Sequence, residues 1–132
     1  MDKTTIERMR EILSSFRPAA VYVFGSAAAG RARSDSDLDL AILPAASIAP
    51  SKLFEAKLQL AEAVGRDVDL IDLSASTTVL RKEVLAGGRL LYETDRVRRA
   101  EFEMYALSDY ARLNEEREPV LAALGQPLHP NA

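Results

Sequence analysis

Two aspartates separated by a single residue are the most chemically suggestive feature of the sequence. Asp37 and Asp39 alternate with the apolar Leu38 and Leu40, and residues two apart on a strand point to the same face. Two neighbouring carboxylates repel each other unless a cation lies between them. Mg²⁺ takes oxygen ligands and commonly combines one or two carboxylates with the phosphate oxygens of a substrate. The pair is therefore a candidate metal site for phosphate chemistry.

A third carboxylate is available on another predicted strand. Asp69 lies in the alternating segment from Asp67 to Leu73, a pattern typical of a strand. Three carboxylates from two strands can hold two metal ions at the ~3.5–4 Å separation used in phosphoryl and nucleotidyl transfer. On a regular strand Asp67 shares the face of Asp69, so Asp67 stays open as an alternative third ligand, whereas Asp72 lies on the opposite face.

Gly25 and Ser26 follow a short apolar segment and could bind phosphate. A glycine that leaves a strand lets the backbone approach a ligand closely, and the amides that follow it can form an anion-binding nest. The Ser26 hydroxyl adds a donor, and a helical turn after it would direct further free amides at the same anion. Arg31 and Arg33 are candidate secondary phosphate contacts or, equally, solubilising charges of a loop.

The remaining pattern predicts one α+β domain that positions these residues. Apolar spacing predicts helices capped at Thr4 and at Ser51, a helix over 76–86 and a long C-terminal helix from about Asp95. Strands are expected over residues 19–24, 37–43, 67–73 and 90–92. Because the first two strands are joined without a full crossover helix, we expect them to be antiparallel and the four-stranded sheet, flanked by helices, to be mixed.

The long C-terminal helix is expected to complete the domain. Residues 1–116 are predicted to form the domain and residues 117–132 a C-terminal tail. Phe102 and Tyr105 are expected to pack at the edge of the core, with a partner-docking face as the alternative. The inner stripe of the helix is expected to contain the apolar residues at helical spacing, namely Val97, Ala100, Met104, Leu107 and Ala111.

Composition narrows the classes of protein that fit. The 132 residues are 48% hydrophobic and 28% charged, as in a globular domain. The absence of cysteine excludes disulfides, zinc–thiolate sites and thiol nucleophiles. The net charge of −3 gives no general attraction to nucleic acid, so no direct nucleic-acid binding is expected. Neither a signal peptide nor an apolar run of ~18 residues is visible, so we expect a cytoplasmic protein without a membrane span.

The glycine–serine pair and the aspartates together resemble a known signature. Gly25-Ser26, ten further residues and then Asp37-Leu38-Asp39 resemble the Gly-Ser-x₁₀-Asp-x-Asp motif of the DNA polymerase β-like nucleotidyltransferase superfamily. The short chain and the Val68-Asp69-Leu70 strand are most similar to its minimal nucleotidyltransferase (MNT) branch, and the resemblance covers roughly residues 19–92.

This resemblance implies a reaction, its cofactors and a partner. Asp37, Asp39 and Asp69 would be catalytic and metal-binding, with two Mg²⁺ ions as cofactors and ATP as substrate. Many minimal members are antitoxins encoded beside a HEPN-domain ribonuclease toxin, and that group transfers AMP from ATP to a tyrosine of the toxin. We therefore expect a protein adenylyltransferase that acts as an antitoxin in a hetero-oligomer with a HEPN toxin.

Two alternatives stay open at this point. An enzyme of the same chemistry could modify a small molecule of the aminoglycoside type, although such enzymes usually need a second domain to form the acceptor pocket, and little chain remains after Tyr92. A binding module could instead neutralise its partner sterically, without catalysis.

Overall fold

The computed structural model describes residues 1–28 and 37–125, which form a four-stranded sheet covered by helices. The strands are β1 (Ala20–Phe24), β2 (Leu38–Leu43), β3 (Val68–Asp72) and β4 (Arg89–Glu93). The helices are α1 (Lys3–Leu13), α2 (Gly25–Ala28), α3 (Pro50–Val64), α4 (Thr78–Gly87) and α5 (Arg96–Ala123). Short 3₁₀ turns cover Ser14–Phe16 and Leu73–Ala75.

The sheet has the order β3-β2-β1-β4 and is mixed, as predicted. β1 is antiparallel to both β2 and β4, and the pairing with β2 agrees with the short connection in the sequence. β2 and β3 are parallel, and α3 provides the crossover that a parallel pair requires. β3 and β4 are the two edge strands.

Alternating side chains divide the core into two layers. Val21 and Val23 of β1 pack on one face with apolar residues of α1 and α3, including Leu13 and Leu60. The opposite face of the same strands packs against α4 and α5. Members of this second layer are Ala19, Ala20, Tyr22, Ala41, Leu43, Leu73 and Val84, with Phe102 of α5 at its margin.

Two predicted helix caps are wrong. Asp2 caps α1, because its Oδ1 accepts the backbone N–H of Thr5 at 2.8 Å, and an aspartate is at least as good a cap as the predicted Thr4. α3 begins one residue before Ser51, at Pro50, without a side-chain cap. Proline suits the first helical position because its missing N–H would have no intrahelical partner there.

The predicted inner stripe of α5 is also wrong. Val97, Met104 and Leu107 are 68%, 56% and 50% exposed, and the other two members of the stripe are exposed as well. Ala106 is the buried residue of this helix, and Phe102 lies at the edge of the core as expected, whereas Tyr105 is exposed.

A polar network explains how α5 is rotated. The guanidinium of Arg99 pairs with Glu93 of β4 and with Glu103 one turn further along α5. Glu103 in turn accepts the hydroxyl of Tyr22 at 2.8 Å. Because these half-buried charges must stay paired, they turn the apolar stripe outward.

The last helix extends past the predicted start of the tail. α5 continues across residue 117 and through Pro119 to Ala123. Over the ranges 1–28 and 37–125, the structure contains no helix long and apolar enough to cross a bilayer.

Candidate active site

The strand register brings the glycine turn and two aspartates together at one end of the sheet. Phe24 is paired with Asp39 in the antiparallel ladder, and Gly25 follows Phe24 directly. In the parallel ladder, Asp39 is paired with Asp69. Register partners project from the same face of a sheet. Asp39 therefore lies between the turn at Gly25 and the carboxylate of Asp69.

Gly25 is required here for two separate reasons. Its φ of +68° is a left-handed conformation that glycine adopts without steric cost. A Cβ at this position would overlap Oδ2 of Asp39 and lie 3.2 Å from its Cγ. The backbone of residue 25 therefore lies directly against the Asp39 carboxylate. The close approach of this glycine to a phosphate ligand stays a prediction.

The carboxylates at this end of the sheet influence one another. The pKa of Asp39 is raised above its ordinary value, first because the side chain is partly desolvated and then because of the negative charges of Asp69 and Asp37. Asp37 and Asp69 themselves are exposed. Such mutual repulsion is what a bound cation would relieve.

A cavity of about 370 Å³ lies beside these residues. It is lined by Asp37, Asp39, Asp67, Asp69, Val68 and, from α3, Lys57, Leu58 and Ala61. Lys57 brings a positive charge to this lining and was not among the residues predicted from the sequence. Its position four residues before Ala61 on the helix that joins β2 to β3 was the available signal, because residues i and i+4 share one helix face.

The structure distinguishes the positions of three aspartates in β3 and just before it, namely Asp67, Asp69 and Asp72. Asp69 is the register partner of Asp39 and contributes to the raised pKa of that carboxyl, whereas Asp67 does not. Asp67 lines the same cavity, and its backbone carbonyl accepts the N–H of Leu38 at 2.9 Å. Asp72 is buried on the other face and accepts the backbone N–H groups of Ser74 and Ile48, each at 2.9 Å. These positions favour Asp69 as the third carboxylate and give Asp72 a structural role.

The donor set suits a hard divalent cation. Within the described part of the chain, no three Asp, Glu, His or Cys side chains already form a compact metal-binding group. The oxygen donors of Asp37, Asp39 and Asp69 nevertheless line one open cavity, which leaves room for phosphate oxygens. Oxygen-only, anionic ligands are those that Mg²⁺ accepts. The residues present therefore fit the magnesium that the sequence predicted.

Part of the predicted phosphate site lies outside the described residues. Arg31 and Arg33 fall there, and the Ser26 side chain is likewise not described. The helical turn expected after Gly25 is present as α2.

Comparisons with known proteins agree with this geometry. A family profile described as polymerase beta, nucleotidyltransferase, matches residues 7–97. Protein adenylyltransferase MntA from Shewanella oneidensis is 34% identical over 101 residues, which are 76% of this chain and 72% of the relative.

Two solved structures resemble nearly the whole chain. A crystal structure of a toxin–antitoxin with AMP-PNP has a TM-score of 0.78 at 30% identity and covers 90% of this chain and 97% of the other. A structure of the tri-AMPylated Shewanella oneidensis HEPN toxin in complex with MNT antitoxin has a TM-score of 0.76 at 27% identity and covers 94% and 98% of the two chains. This chain therefore belongs to the polymerase beta nucleotidyltransferase family.

Proposed function

We propose that this protein is a Mg²⁺-dependent adenylyltransferase that transfers AMP from ATP to a tyrosine hydroxyl of a HEPN-domain toxin and thereby acts as its antitoxin. The observation that carries the proposal is the placement of Asp39 against the backbone of Gly25 and opposite Asp69. The named relatives support the choice of ATP and of a protein acceptor, since one is a protein adenylyltransferase and another is an antitoxin in complex with an AMPylated HEPN toxin.

The three aspartates would hold the metal, and the glycine turn would hold the nucleotide. Asp37, Asp39 and Asp69 supply carboxylate oxygens on one side of the cavity. Bound Mg²⁺ would neutralise charge on the triphosphate and on the departing pyrophosphate and would lower the pKa of the acceptor hydroxyl. The turn at Gly25 would offer backbone amides to phosphate, with the Ser26 hydroxyl as a further donor and Arg31 and Arg33 as secondary contacts.

The reaction is an in-line displacement at the α-phosphorus of ATP. The acceptor oxygen forms a bond to this phosphorus while the bond to the bridging oxygen of the β-phosphate breaks, and pyrophosphate leaves with the electron pair. Asp69 is exposed at the cavity and would accept the proton of the acceptor hydroxyl. Lys57 lines the same cavity, and its ammonium would offset charge on the triphosphate.

A named relative favours a macromolecular acceptor, because that antitoxin is in complex with a tri-AMPylated HEPN toxin. The described fold builds one sheet and its two helical layers. The carboxylate cavity, at about 370 Å³, is lined by residues of α3 and of β2 and β3 with their flanks.

The decisive experiment combines the purified protein with α-labelled ATP, Mg²⁺ and a cognate HEPN partner. We expect label on a partner tyrosine, identified by mass spectrometry, and loss of ribonuclease activity. Asp69→Asn should reduce the rate on the order of a thousandfold, whereas Asp67→Asn, the matched change on the same face, should reduce it far less. Equal losses in both variants would contradict the assignment of Asp69.

The same mixture separates the alternatives. Label on aminoglycosides but not on the partner would establish small-molecule transfer. Neutralisation of the partner that needs no ATP and survives Asp39→Asn would establish the steric binding module.

A further inference from the structure

A second cavity lies at the opposite end of β1 and has a different chemical character. Its volume is about 430 Å³, within the ~300–1,000 Å³ range of small-molecule sites. We call it the arginine pocket. Its lining consists of Arg10, Ser14, Arg17, Pro18, Ala19, Tyr92, Thr94, Asp95 and Arg98.

The arginine pocket lies where α1 and the segment between α1 and β1 meet the end of β4 and the start of α5. The carbonyl of Ala19 accepts the backbone N–H groups of Thr94 and Asp95 at 2.8 and 3.2 Å, which closes one wall. The Thr94 hydroxyl donates to the carbonyl of Pro18, and Ser14 donates to the carbonyl of Glu11. These two hydroxyl groups already donate within the fold, so their protons are not available to a ligand. The remaining donors of the lining are those of the arginines and of Tyr92.

One buried polar atom in this lining has no partner. Tyr92 is 6% exposed, and its hydroxyl makes no hydrogen bond. The Nε of Arg10 makes no hydrogen bond either, but it lies 3.6 Å from Oε1 of Glu7 in an ion pair. The guanidinium of Arg10 lies over the Tyr92 ring, with Cζ 4.3 Å from the ring centroid. A buried hydroxyl without a hydrogen-bond partner is costly, so Tyr92 points to a missing acceptor at this cavity.

The charges around the pocket favour an anion. Three guanidinium groups face one carboxylate, that of Asp95, which already accepts the backbone N–H of Arg98 at 3.0 Å as the cap of α5. Glu7 is a second carboxylate near the pocket and is paired with Arg10, which leaves Arg17 and Arg98 without a side-chain carboxylate partner among the described residues. Arg98 also donates to the carbonyl of Pro44, but a guanidinium has five N–H donors and most remain.

Arg17 is the arginine with the most freedom to bind. Its side chain makes no hydrogen bond or ion pair with any residue that the structure describes. Its backbone has a φ of +48°, the only positive value among the non-glycine residues of 1–28 and 37–125. This left-handed conformation ends the 3₁₀ turn over Ser14–Phe16, where the backbone N–H of Arg17 donates to the carbonyl of Ser14 at 3.0 Å.

We propose that the arginine pocket is a binding site for a small phosphate-bearing anion, separate from the carboxylate cavity. Guanidinium groups bind phosphate oxygens through paired N–H donors, and the hydroxyl of Tyr92 would supply one further donor. The apolar surfaces of Pro18 and Ala19 would contact the remainder of such a ligand. Binding at this pocket does not depend on the proposed reaction.

The test is calorimetric titration of the protein with inorganic pyrophosphate, inorganic phosphate and AMP in the presence of EDTA. Removal of divalent metal suppresses nucleotide binding at the carboxylate cavity, so the arginine pocket is observed alone. We expect binding of at least one probe, with Kd raised tenfold or more by Arg17→Gln and by Arg10→Gln. Arg96→Gln is the matched control, because Arg96 loses the same charge but lies on the surface outside the pocket.

Tyr92→Phe distinguishes a ligand site from a packing role. Removal of an unpartnered buried hydroxyl should leave the Tm of the free protein unchanged or higher, while it weakens binding of the probe several-fold. A lower Tm with unchanged binding would mean that a bound water occupies the pocket and would overturn the proposal. So would equal effects of Arg17→Gln and Arg96→Gln, or loss of binding in Asp39→Asn, or no binding of any probe.

Discussion

The two ends of β1 carry opposite chemistry on one short strand. At its carboxyl end, Gly25 lies against Asp39, and carboxylates line an open cavity. At its amino end, Ala19 forms part of a pocket lined by three arginines. A strand of five residues is ~17 Å long, so the charges of one end are largely screened from the other. One rigid strand can therefore position an acidic and a basic site independently.

The largest effect should come from the acidic end, at the glycine turn. Gly25→Ala adds a Cβ that would overlap the Asp39 carboxylate. Displacement of a catalytic group by ~1 Å costs on the order of a hundredfold in rate, and we expect that loss in adenylyl transfer to the partner. Gly65→Ala is the control, because Gly65 also has a positive φ, +81°, but has open space around its Cβ position. It should lower stability by about 1 kcal/mol and leave the rate unchanged.

The basic end should be sensitive to alkaline pH. Burial raises the pKa of Tyr92 to about 12, although Arg10 acts in the opposite direction. Between pH 10 and 12 the folded protein therefore holds a proton that the unfolded chain has lost, so the free energy of unfolding falls as the pH rises through this window. The loss should be at most about 2 kcal/mol, since the ring is partly screened. Denaturant titrations of Tyr92→Phe should show a smaller loss, and an unchanged alkaline slope would contradict the shift.

A smaller effect is expected from a change of Lys57, the positively charged residue in the lining of the carboxylate cavity. Lys57 lines the carboxylate cavity, and Lys57→Ala should raise the KM for ATP about tenfold with little change in kcat, because it removes charge that binds the triphosphate. Lys52→Ala, on the same helix, removes an exposed lysine that lies outside the carboxylate cavity and pairs with Glu55 at 3.5 Å, and it should leave KM unaltered. A fall in kcat at constant KM would assign Lys57 to the chemical step instead.

The smallest effect would measure the independence of the two ends. The changes in unfolding free energy caused by Asp39→Asn and Arg17→Gln should add in the double variant to within ~0.5 kcal/mol. The double-mutant cycle is completed by chemical denaturation, in EDTA, of the parent protein, the two single variants and the double variant. A larger coupling energy would show that β1 transmits strain between its ends.

Local patterns were sufficient to predict the acidic site in outline. Alternation around Asp37 and Asp39 identified a strand and its polar face, and the mixed sheet followed from the short connection before it. Register is a long-range property, so the pairing of Asp39 with Asp69 is fixed by the folded sheet and not by the alternation within either strand. Lys57 reaches the cavity from a helix that crosses between strands, and its spacing from Ala61 does not by itself tell which helix face borders the carboxylates.

A long-range polar contact accounts for the failure on α5. The predicted inner stripe rested on apolar periodicity within the helix, whereas Glu103 of α5 accepts the hydroxyl of Tyr22, 81 residues earlier in the chain. The arginine pocket combines Arg10 of α1, Arg17 of the following turn and Arg98 of α5. These residues are far apart in the chain, so only tertiary structure brings their charges together.

The position of β3 at the margin of the sheet has a consequence for aggregation. An edge strand leaves backbone donors and acceptors available to a strand from another molecule, and charged side chains discourage such pairing. Asp67 and Asp69 place two negative charges on this margin. Variants that neutralise them should therefore associate into larger particles more readily than the parent, independently of any change in catalysis.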